Sequence, residues 1–161
     1  MNGSEKFLQL FKQPFKFRFF LLTRLPAVFF SGIKIQEVDE QHAVTTVPYK
    51  WLTQNPFKST YFASLSMAAE LSTGLLAMLH LSNESKKISM LVTRVNAEYL
   101  KKATAITYFT CSDGNVFKES IKQAVATSEA VSLTSSSIGT NSSGEVIAVF
   151  EITWSFKVKN K

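Results

Sequence analysis

Cysteine and histidine are scarce in this 161-residue chain, which has one cysteine, Cys111, and two histidines, His42 and His80. A single cysteine excludes an internal disulfide and, with no metal cluster to join, indicates a reducing compartment; we expect a cytoplasmic protein. The two histidines lie far apart in the sequence. A zinc site or a histidine-based catalytic relay would be hard to build from this set, so we expect no metal site.

Dense blocks of lysine or arginine are also lacking, although the net charge is +6. Such a charge attracts any anionic partner without choosing among them. Because no nucleic-acid-binding motif accompanies it, we expect no nucleic-acid partner. The content of 45% hydrophobic and 19% charged residues is typical of an ordered globular protein, and the length suits one domain over residues 1–161.

Long uninterrupted apolar runs are missing from the aromatic N-terminal segment, residues 1–30. Within residues 7–30, four basic residues and the prolines Pro14 and Pro26 interrupt it, and the longest charge-free run before Lys34 covers residues 25–33. A bilayer span needs roughly 20 apolar residues, so we expect no transmembrane segment here. One or two short amphipathic helices that pack on the domain or cover a pocket are favoured. A role at a membrane surface is the alternative, since phenylalanine and basic residues interleave.

Hydrophobic periodicity then predicts an α+β chain. Apolar and polar residues alternate on both sides of "DEQH", which indicates a β-hairpin, and four more strands follow residue 87, with a short helix after "SDGN". The first two of these strands are joined by a short "KKA" turn. The last two form a predicted edge hairpin closed by "NSSG". Between the hairpin and these strands lies one long helix, residues 59–82, with Ser59 or Thr60 as its N-cap.

The central helix is apolar on nearly every side. Between Ser59 and Asn83 its one formally charged side chain is Glu70. An all-round apolar helix must be buried, and a curved antiparallel sheet that wraps it is the arrangement that covers most of its sides. A buried carboxylate is costly without donors, so Glu70 either finds partners or takes up a proton.

The stretch "NPFKSTYFASLSMAAE" carries a resemblance to a known family. In thioesterases of the phenylacetate-pathway and 4-hydroxybenzoyl-CoA type, an Asn precedes a His-Gly-Gly by six residues, and an Asp or Glu follows that His by nine. Asn55, Tyr61 and Glu70 keep this spacing. From about Gly32 to Lys159 the chain therefore resembles the hotdog-fold thioesterase superfamily, and within it a thioesterase-like branch described as a domain of unknown function. An extra N-terminal helix is common in that branch.

This resemblance implies a hotdog fold and an acyl-CoA or acyl-carrier thioesterase that needs no cofactor beyond the CoA moiety of its substrate. Glu70 would be the base or nucleophile, and the backbone N–H of Phe62 an oxyanion donor. Asn55 would orient the attacking water or the carbonyl, and the Tyr61 hydroxyl would donate a hydrogen bond where the family has His. Nine residues put Tyr61 and Glu70 about 13.5 Å apart along a straight helix. A site that uses both must join two subunits, so we expect a homodimer, which could pair further into a tetramer.

Substrate phosphates would lie near Arg94, Lys101 and Lys102, because basic side chains suit phosphate by charge and hydrogen bonding. A solvated turn is an equally good explanation of these three residues. The less favoured alternative for Glu70 is a buried structural group paired with Arg94, Lys101 or a polar neighbour on the helix. Asn55 is equally well explained as an ordinary turn residue before Pro56.

The sequence departs from the family pattern where Tyr61-Phe62-Ala63 replaces His-Gly-Gly. A strand hydroxyl found in some family members would fall at about Val92, and is absent unless Ser89 or Thr93 replaces it. The alternative function is therefore a non-catalytic hotdog protein that binds an acyl chain or lipid.

Overall fold

Five helices and six strands make up most of the part of the chain that the computed structural model describes, residues 3–11 and 13–159 without the side chain of Pro14. The helices are α1 (Gly3–Phe11), α2 (Pro14–Arg24), α3 (Pro26–Ser31), α4 (Phe62–Leu81) and α5 (Gly114–Thr127). The strands are β1 (Lys34–Val38), β2 (Ala43–Val47), β3 (Ile88–Tyr99), β4 (Thr107–Cys111), β5 (Val131–Thr140) and β6 (Val146–Val158). A short 3₁₀ turn spans Trp51–Thr53.

Helix α4 is the centre of the core. Most of its side chains are buried, as expected for a helix that is apolar on every side. Within the described ranges it is the one helix long and apolar enough to cross a membrane, and 67% of its most apolar window is buried inside the fold. The prediction of a single buried helix is confirmed.

One antiparallel sheet wraps α4, with strand order β1-β2-β4-β5-β6-β3. This confirms the predicted curved sheet around one helix. Two details of the sequence prediction are wrong. The β5–β6 hairpin lies inside the sheet, and the edges are β1 and β3. The segment after β3 does not make a tight turn into an adjacent strand, because β4 pairs with β2 and β5 while β3 pairs with β6.

Buried hydrogen bonds fix the rotation of α4 against the sheet. Each joins a side chain of one element to the other, which satisfies polar groups that would otherwise be costly to bury. They are Thr45 Oγ1 donating to the Ala68 carbonyl (2.7 Å), the Ser72–Ser137 hydroxyl pair (2.8 Å), and Trp154 Nε1 donating to Thr73 Oγ1 (3.0 Å). Strands β2, β5 and β6 are therefore each joined to α4 by a hydrogen bond that fixes which helix residue they face.

The start of α4 differs from the prediction of an N-cap at Ser59 or Thr60. The N-cap is Tyr61, in extended conformation and without a side-chain capping bond. Thr60 is held by Ala103, because both its N–H and its hydroxyl donate to the Ala103 carbonyl (2.8 and 3.1 Å). This tie to the segment before β4 keeps Thr60 out of the helix.

The N-terminal segment forms three helices where one or two were predicted. Pro14 and Pro26 begin α2 and α3, at the helical position where the missing N–H of proline costs nothing. Helix α2 buries Leu21 in the core, while Phe15 and Phe19 on its opposite side are 89% and 67% exposed. The segment therefore packs on the domain and leaves one apolar face open.

A glycine in β5 makes room for a core phenylalanine. A Cβ placed on Gly139 would lie 2.6 Å from the ring of Phe109, the β4 residue paired with it. Phe109 is fully buried and packs edge-on against Phe150 with ring centroids 5.6 Å apart. Because Phe150 packs against this ring, a methyl group at position 139 would crowd it in the core.

We expect Gly139→Ala to lower the free energy of unfolding by about 1–3 kcal/mol, the usual cost of overpacking a core. Combined with Phe109→Leu, the substitution should cost less than it does alone, because the clash is removed. Urea unfolding of the two single variants and the double variant measures both effects. Ser136→Ala, at an exposed position of the same strand, is the matched control. Strictly additive losses in the double variant would contradict this account.

Candidate active-site groove

An open groove runs between the first half of α4 and the end of β3. Val95 and Tyr99 pair with Ile152 and Ala148, which are buried, so both side chains lie on the face of the sheet that meets the helix. They are nevertheless 48% and 46% exposed. Strand β3 is an edge strand, and its residues from Arg94 to Tyr99 are all exposed.

The opposite wall of the groove comes from α4. Phe62, Ser66 and Glu70 are spaced by four residues and so lie on one face of the helix. The ring centroids of Phe62 and Tyr99 are 6.4 Å apart. The Ser66 side chain lies beside the Tyr99 hydroxyl, where burial raises the pKa of Tyr99 and the hydrogen bond from Ser66 opposes that rise. We call Phe62, Ser66, Glu70, Val95 and Tyr99 the α4–β3 groove.

Glu70 is half-buried in this groove without a partner for its charge. Within residues 3–11 and 13–159, no hydrogen-bond donor or cation contacts its carboxylate. A Cβ built on Gly74 would lie 3.5 Å from both Glu70 Oε1 and the ring of Trp154, so the carboxylate and the indole border the same small space. Burial alone raises the pKa of Glu70, because it removes water from the charged form without replacing it.

The structural explanation of Glu70 as a member of an ion pair is not supported. Arg94 Nε donates to Asn96 Oδ1 at 3.3 Å, and the Lys101 ammonium pairs with Glu145. Thr73 Oγ1 donates to the backbone carbonyl of Glu70 and leaves its side chain untouched. The carboxylate is therefore available to a ligand or to water in the groove.

Asn55 organises the loop before α4. Its Oδ1 accepts hydrogen bonds from the N–H groups of Phe57 and Ser59 (3.0 and 3.2 Å), and its Nδ2 donates to Ser59 Oγ (3.1 Å). This is the pattern of an Asx turn, in which a side chain replaces the backbone as acceptor. The structure thus favours the interpretation of Asn55 as a turn residue that positions the helix start.

Tyr61 and Phe62 stand exposed at the start of α4, with ring centroids 4.8 Å apart. The Tyr61 N–H donates to the Thr53 carbonyl at 2.6 Å. The Phe62 N–H is one of the first amides of the helix, which have no acceptor within it, and no other described residue accepts from it. This free amide lies at the positive end of the helix dipole.

The predicted site residues do not all meet within one chain. Helix α4 is continuous from Phe62 to Glu70, so these residues are about 12 Å apart along its axis. Tyr61, Phe62 and Asn55 gather at the helix start. Glu70 lies two turns further along, beside the open edge of the sheet.

The three predicted phosphate-binding cations are also separated. Lys102 Nζ donates to the Phe57 carbonyl at 3.3 Å and so lies against the Asn55 loop, with Lys101 next to it. Arg94 pairs with Thr153, whose hydroxyl bonds Thr134 on the face of the sheet away from α4. Arg94 therefore points to the outer surface and is not brought together with the two lysines.

The strand hydroxyl sought near Val92 is not supplied by its neighbours. Val92 itself pairs with Trp154 and lies on the face toward α4. Ser89 pairs with Lys157 on the outer face, and Thr93 sits in a β-bulge, where its hydroxyl donates to the Thr153 carbonyl at 3.3 Å. The hydroxyls that do line the groove belong to Ser66 and Tyr99. The sequence analysis missed both, although Ser66 precedes Glu70 by one helical turn.

The unpaired Glu70 carboxylate should destabilise the fold at neutral pH. Its pKa is raised in the folded state, so the unfolded chain releases the proton first as the pH rises through the ordinary value of 4.5. We expect Glu70→Gln to be more stable than the native protein at about pH 7, with the difference disappearing at about pH 4, where the carboxyl is protonated in both states. Urea unfolding at the two pH values measures this. Glu129→Gln, at an exposed position, is the control. Equal free energies of unfolding for Glu70→Gln and the native protein at neutral pH would contradict this prediction.

Solved structures with the same fold include three thioesterase-like proteins. A protein of unknown function from Pseudomonas aeruginosa, described as a probable thioesterase, superposes with a TM-score of 0.75 at 17% identity over 88% of this chain and 93% of that chain. A thioesterase from Haemophilus influenzae superposes with a TM-score of 0.61 at 14% identity over 85% of this chain and 86% of that chain. The PaaI protein of the phenylacetic acid degradation operon of E. coli superposes with a TM-score of 0.58 at 14% identity over 80% of this chain and 86% of that chain.

These likenesses confirm the hotdog fold that the sequence predicted. No curated protein matches the chain in sequence. The profile of one family, described as "Domain of unknown function (DUF4442)", matches residues 16–155, which include α4, the first five strands and most of α2 and β6. The chain belongs to this family of hotdog-fold domains, whose function its description leaves open.

Proposed function

We propose that the protein is a thioesterase that hydrolyses an acyl-CoA or acyl-carrier thioester, with Glu70 as its general base. The observation that carries the proposal is the half-buried Glu70 carboxylate, which has no partner among the described residues and borders an open groove. A base with a raised pKa is suited to accept a proton near neutral pH. The thioesterase-like neighbours in structure support this reaction class.

The reaction needs few groups. Glu70 takes a proton from a water molecule as the water oxygen attacks the thioester carbonyl carbon. The oxyanion that forms accepts hydrogen bonds from a free amide at a helix start, which stabilises the developing charge. The carbon–sulfur bond then breaks, and the leaving thiolate receives the proton from Glu70. The products are a carboxylic acid and a free thiol, and the base is restored.

The oxyanion donor in this scheme is the Phe62 N–H of a second subunit. Within one chain Phe62 and Glu70 are about 12 Å apart along the helix, so they cannot act on the same carbonyl. A second copy packed against β3 would bring its own helix start toward Glu70. A backbone amide can donate whatever side chain its residue carries, so the loss of glycine at position 62 does not remove this donor.

Strand β3 is the surface on which we place the second copy. From Arg94 to Tyr99 every residue of this edge strand is exposed, including the apolar Val95, and one edge of its backbone carries no partner strand. Such an edge pairs readily with another strand. Because a two-fold interface uses the same patch on both subunits, pairing of β3 with β3 joins two six-stranded sheets and closes the groove over Glu70.

We expect Glu70→Ala to lower kcat for hydrolysis by about 100-fold or more, the usual contribution of a general base. The rate in the native protein should rise with pH through the raised pKa of Glu70, because only the carboxylate accepts the proton. Release of CoA from short, aromatic and long acyl-CoAs measures both effects. Glu129→Ala, at an exposed position outside β3, is the control. Hydrolysis that survives in Glu70→Ala would remove Glu70 from the mechanism.

We also expect the native protein to be a dimer and Val95→Arg to be a monomer without hydrolytic activity. A buried arginine at each copy of β3 would face its own symmetry mate without a counter-ion. Light scattering coupled to size-exclusion chromatography gives the mass. The control, Ile138→Arg, changes an exposed residue of the interior strand β5 and should stay dimeric. A monomeric native protein would overturn the shared site.

The second candidate function is acyl-chain or lipid binding without turnover. It is favoured by one observation, the exposed Phe62 ring at the mouth of the groove, where the family pattern has glycine. The acyl-CoA panel separates the two candidates. Tight binding of acyl ligands with no CoA release from any of them would favour this second function.

A further inference from the structure

A cavity at the opposite end of the sheet from the groove is not used by the proposed reaction. It measures about 580 Å³ and lies between the N-terminal helices and strands β1 and β2. Typical small-molecule sites measure roughly 300–1,000 Å³, so this cavity has the size of a ligand site. Its lining contains none of the groove residues. Protein cores seldom leave such large spaces unfilled.

The inner wall of the cavity is apolar. Phe17, Leu21 and Phe29 contribute from α2 and α3, and Ile33 and Ile35 from the start of the sheet. These side chains offer no hydrogen-bonding groups, so they suit a hydrocarbon chain and give a nucleotide base nothing to pair with. The wall therefore combines side chains of α2 and α3 with side chains at the start of the sheet.

Three cations line the same cavity. Arg18 lies over the ring of Phe29, with its guanidinium carbon 5.1 Å from the ring centroid, and Lys50 Nζ donates to the Phe30 carbonyl at 3.2 Å. Lys34 stands exposed on β1. No acidic side chain lines the cavity, and among the described residues none of the three cations forms an ion pair. Their charge is therefore left for an anion.

We propose that this cavity binds a single-chain amphiphile with an anionic head, either a carboxylate or a phosphate. The apolar wall takes the hydrocarbon chain, and Arg18, Lys34 and Lys50 hold the head at the mouth. A neutral apolar ligand would leave the three cations uncompensated, and a compact anion without a chain would leave the apolar wall empty. The site is independent of Glu70 and of the dimer edge.

The test uses the full chain and three probes of equal chain length: dodecanoate, dodecyl phosphate and dodecyltrimethylammonium. Isothermal titration calorimetry should give saturable binding of an anionic probe and no comparable binding of the cationic one. We expect Lys34→Glu to lower the affinity for the anionic probe at least about fivefold, because it removes a charge-assisted contact and adds a repulsive one. Ile106→Trp, at an exposed position lining the cavity, should also lower this affinity, because the larger side chain fills the space that the probe would occupy. The control Lys157→Glu makes the same charge change on β6.

The proposal would be overturned if the native protein and both cavity variants bound the anionic probe with equal affinity. It would also be overturned if the native protein bound the cationic probe as tightly as the anionic one. Thermal unfolding of each variant establishes that it is folded. A diazirine-bearing fatty acid gives a readout that needs no variant: its label should map to residues 14–35. Label found instead on α4 and β3 would place the chain in the α4–β3 groove and overturn the second site. Because Glu70→Ala leaves the cavity intact, failure of the thioesterase proposal would not change these outcomes.

Discussion

The burial of one helix that is apolar on all sides is the constraint on which the rest of this structure depends. A globular protein normally covers a helix on one face and leaves the other to solvent. Helix α4 offers no polar face, so the sheet must curve around it, and α1, α3 and α5 must close the sides that the sheet leaves open. The polar contacts from Thr45, Ser137 and Trp154 to the helix then determine which of its residues face the remaining gap.

That gap lies at the β3 edge, and Glu70, the one acidic residue of this helix, lies in it. If Glu70 faced β2 or β5 it would be sealed among apolar side chains, where an unpaired charge costs far more. At the β3 edge it is half-buried, so desolvation raises its pKa while the carboxylate still borders open space. The groove and the perturbed carboxyl therefore have a common origin, which is the incomplete cover of α4 by a six-stranded sheet.

The sequence was sufficient to predict the elements but not their neighbours. The central helix, the first hairpin and the four later strands all follow from periodicity, because burial of one helix or strand face leaves a direct pattern in the residue order. The positions of β3 and β5 in the sheet leave no such pattern. The polar, serine-rich β5 suggested an edge, yet its alternate serines are buried as hydrogen-bond partners of α4 and Cys111.

The site was predictable in part, for the same reason. Motif spacing singled out Asn55, Tyr61 and Glu70, but the side-chain partners that decide their roles depend on tertiary contacts. The turn that uses up the polar atoms of Asn55 could be suspected from the following proline. The outward direction of Arg94 could not, because the β-bulge between Val92 and Arg94 shifts the register of the strand. A one-residue shift moves every later side chain to the other face.

The two ends of the sheet pose opposite physical problems, and this difference bears on how the molecule is used. The β3 edge presents unpaired backbone groups and apolar side chains, and we propose that another copy of the same strand covers them. At the β1 end, the N-terminal helices and strands β1 and β2 line a hollow that carries cations and phenylalanine. No acidic side chain lines this hollow, so its cations stay uncompensated within the chain. An anionic small molecule would neutralise them, and for this reason we interpret the N-terminal helices as the wall of a binding site.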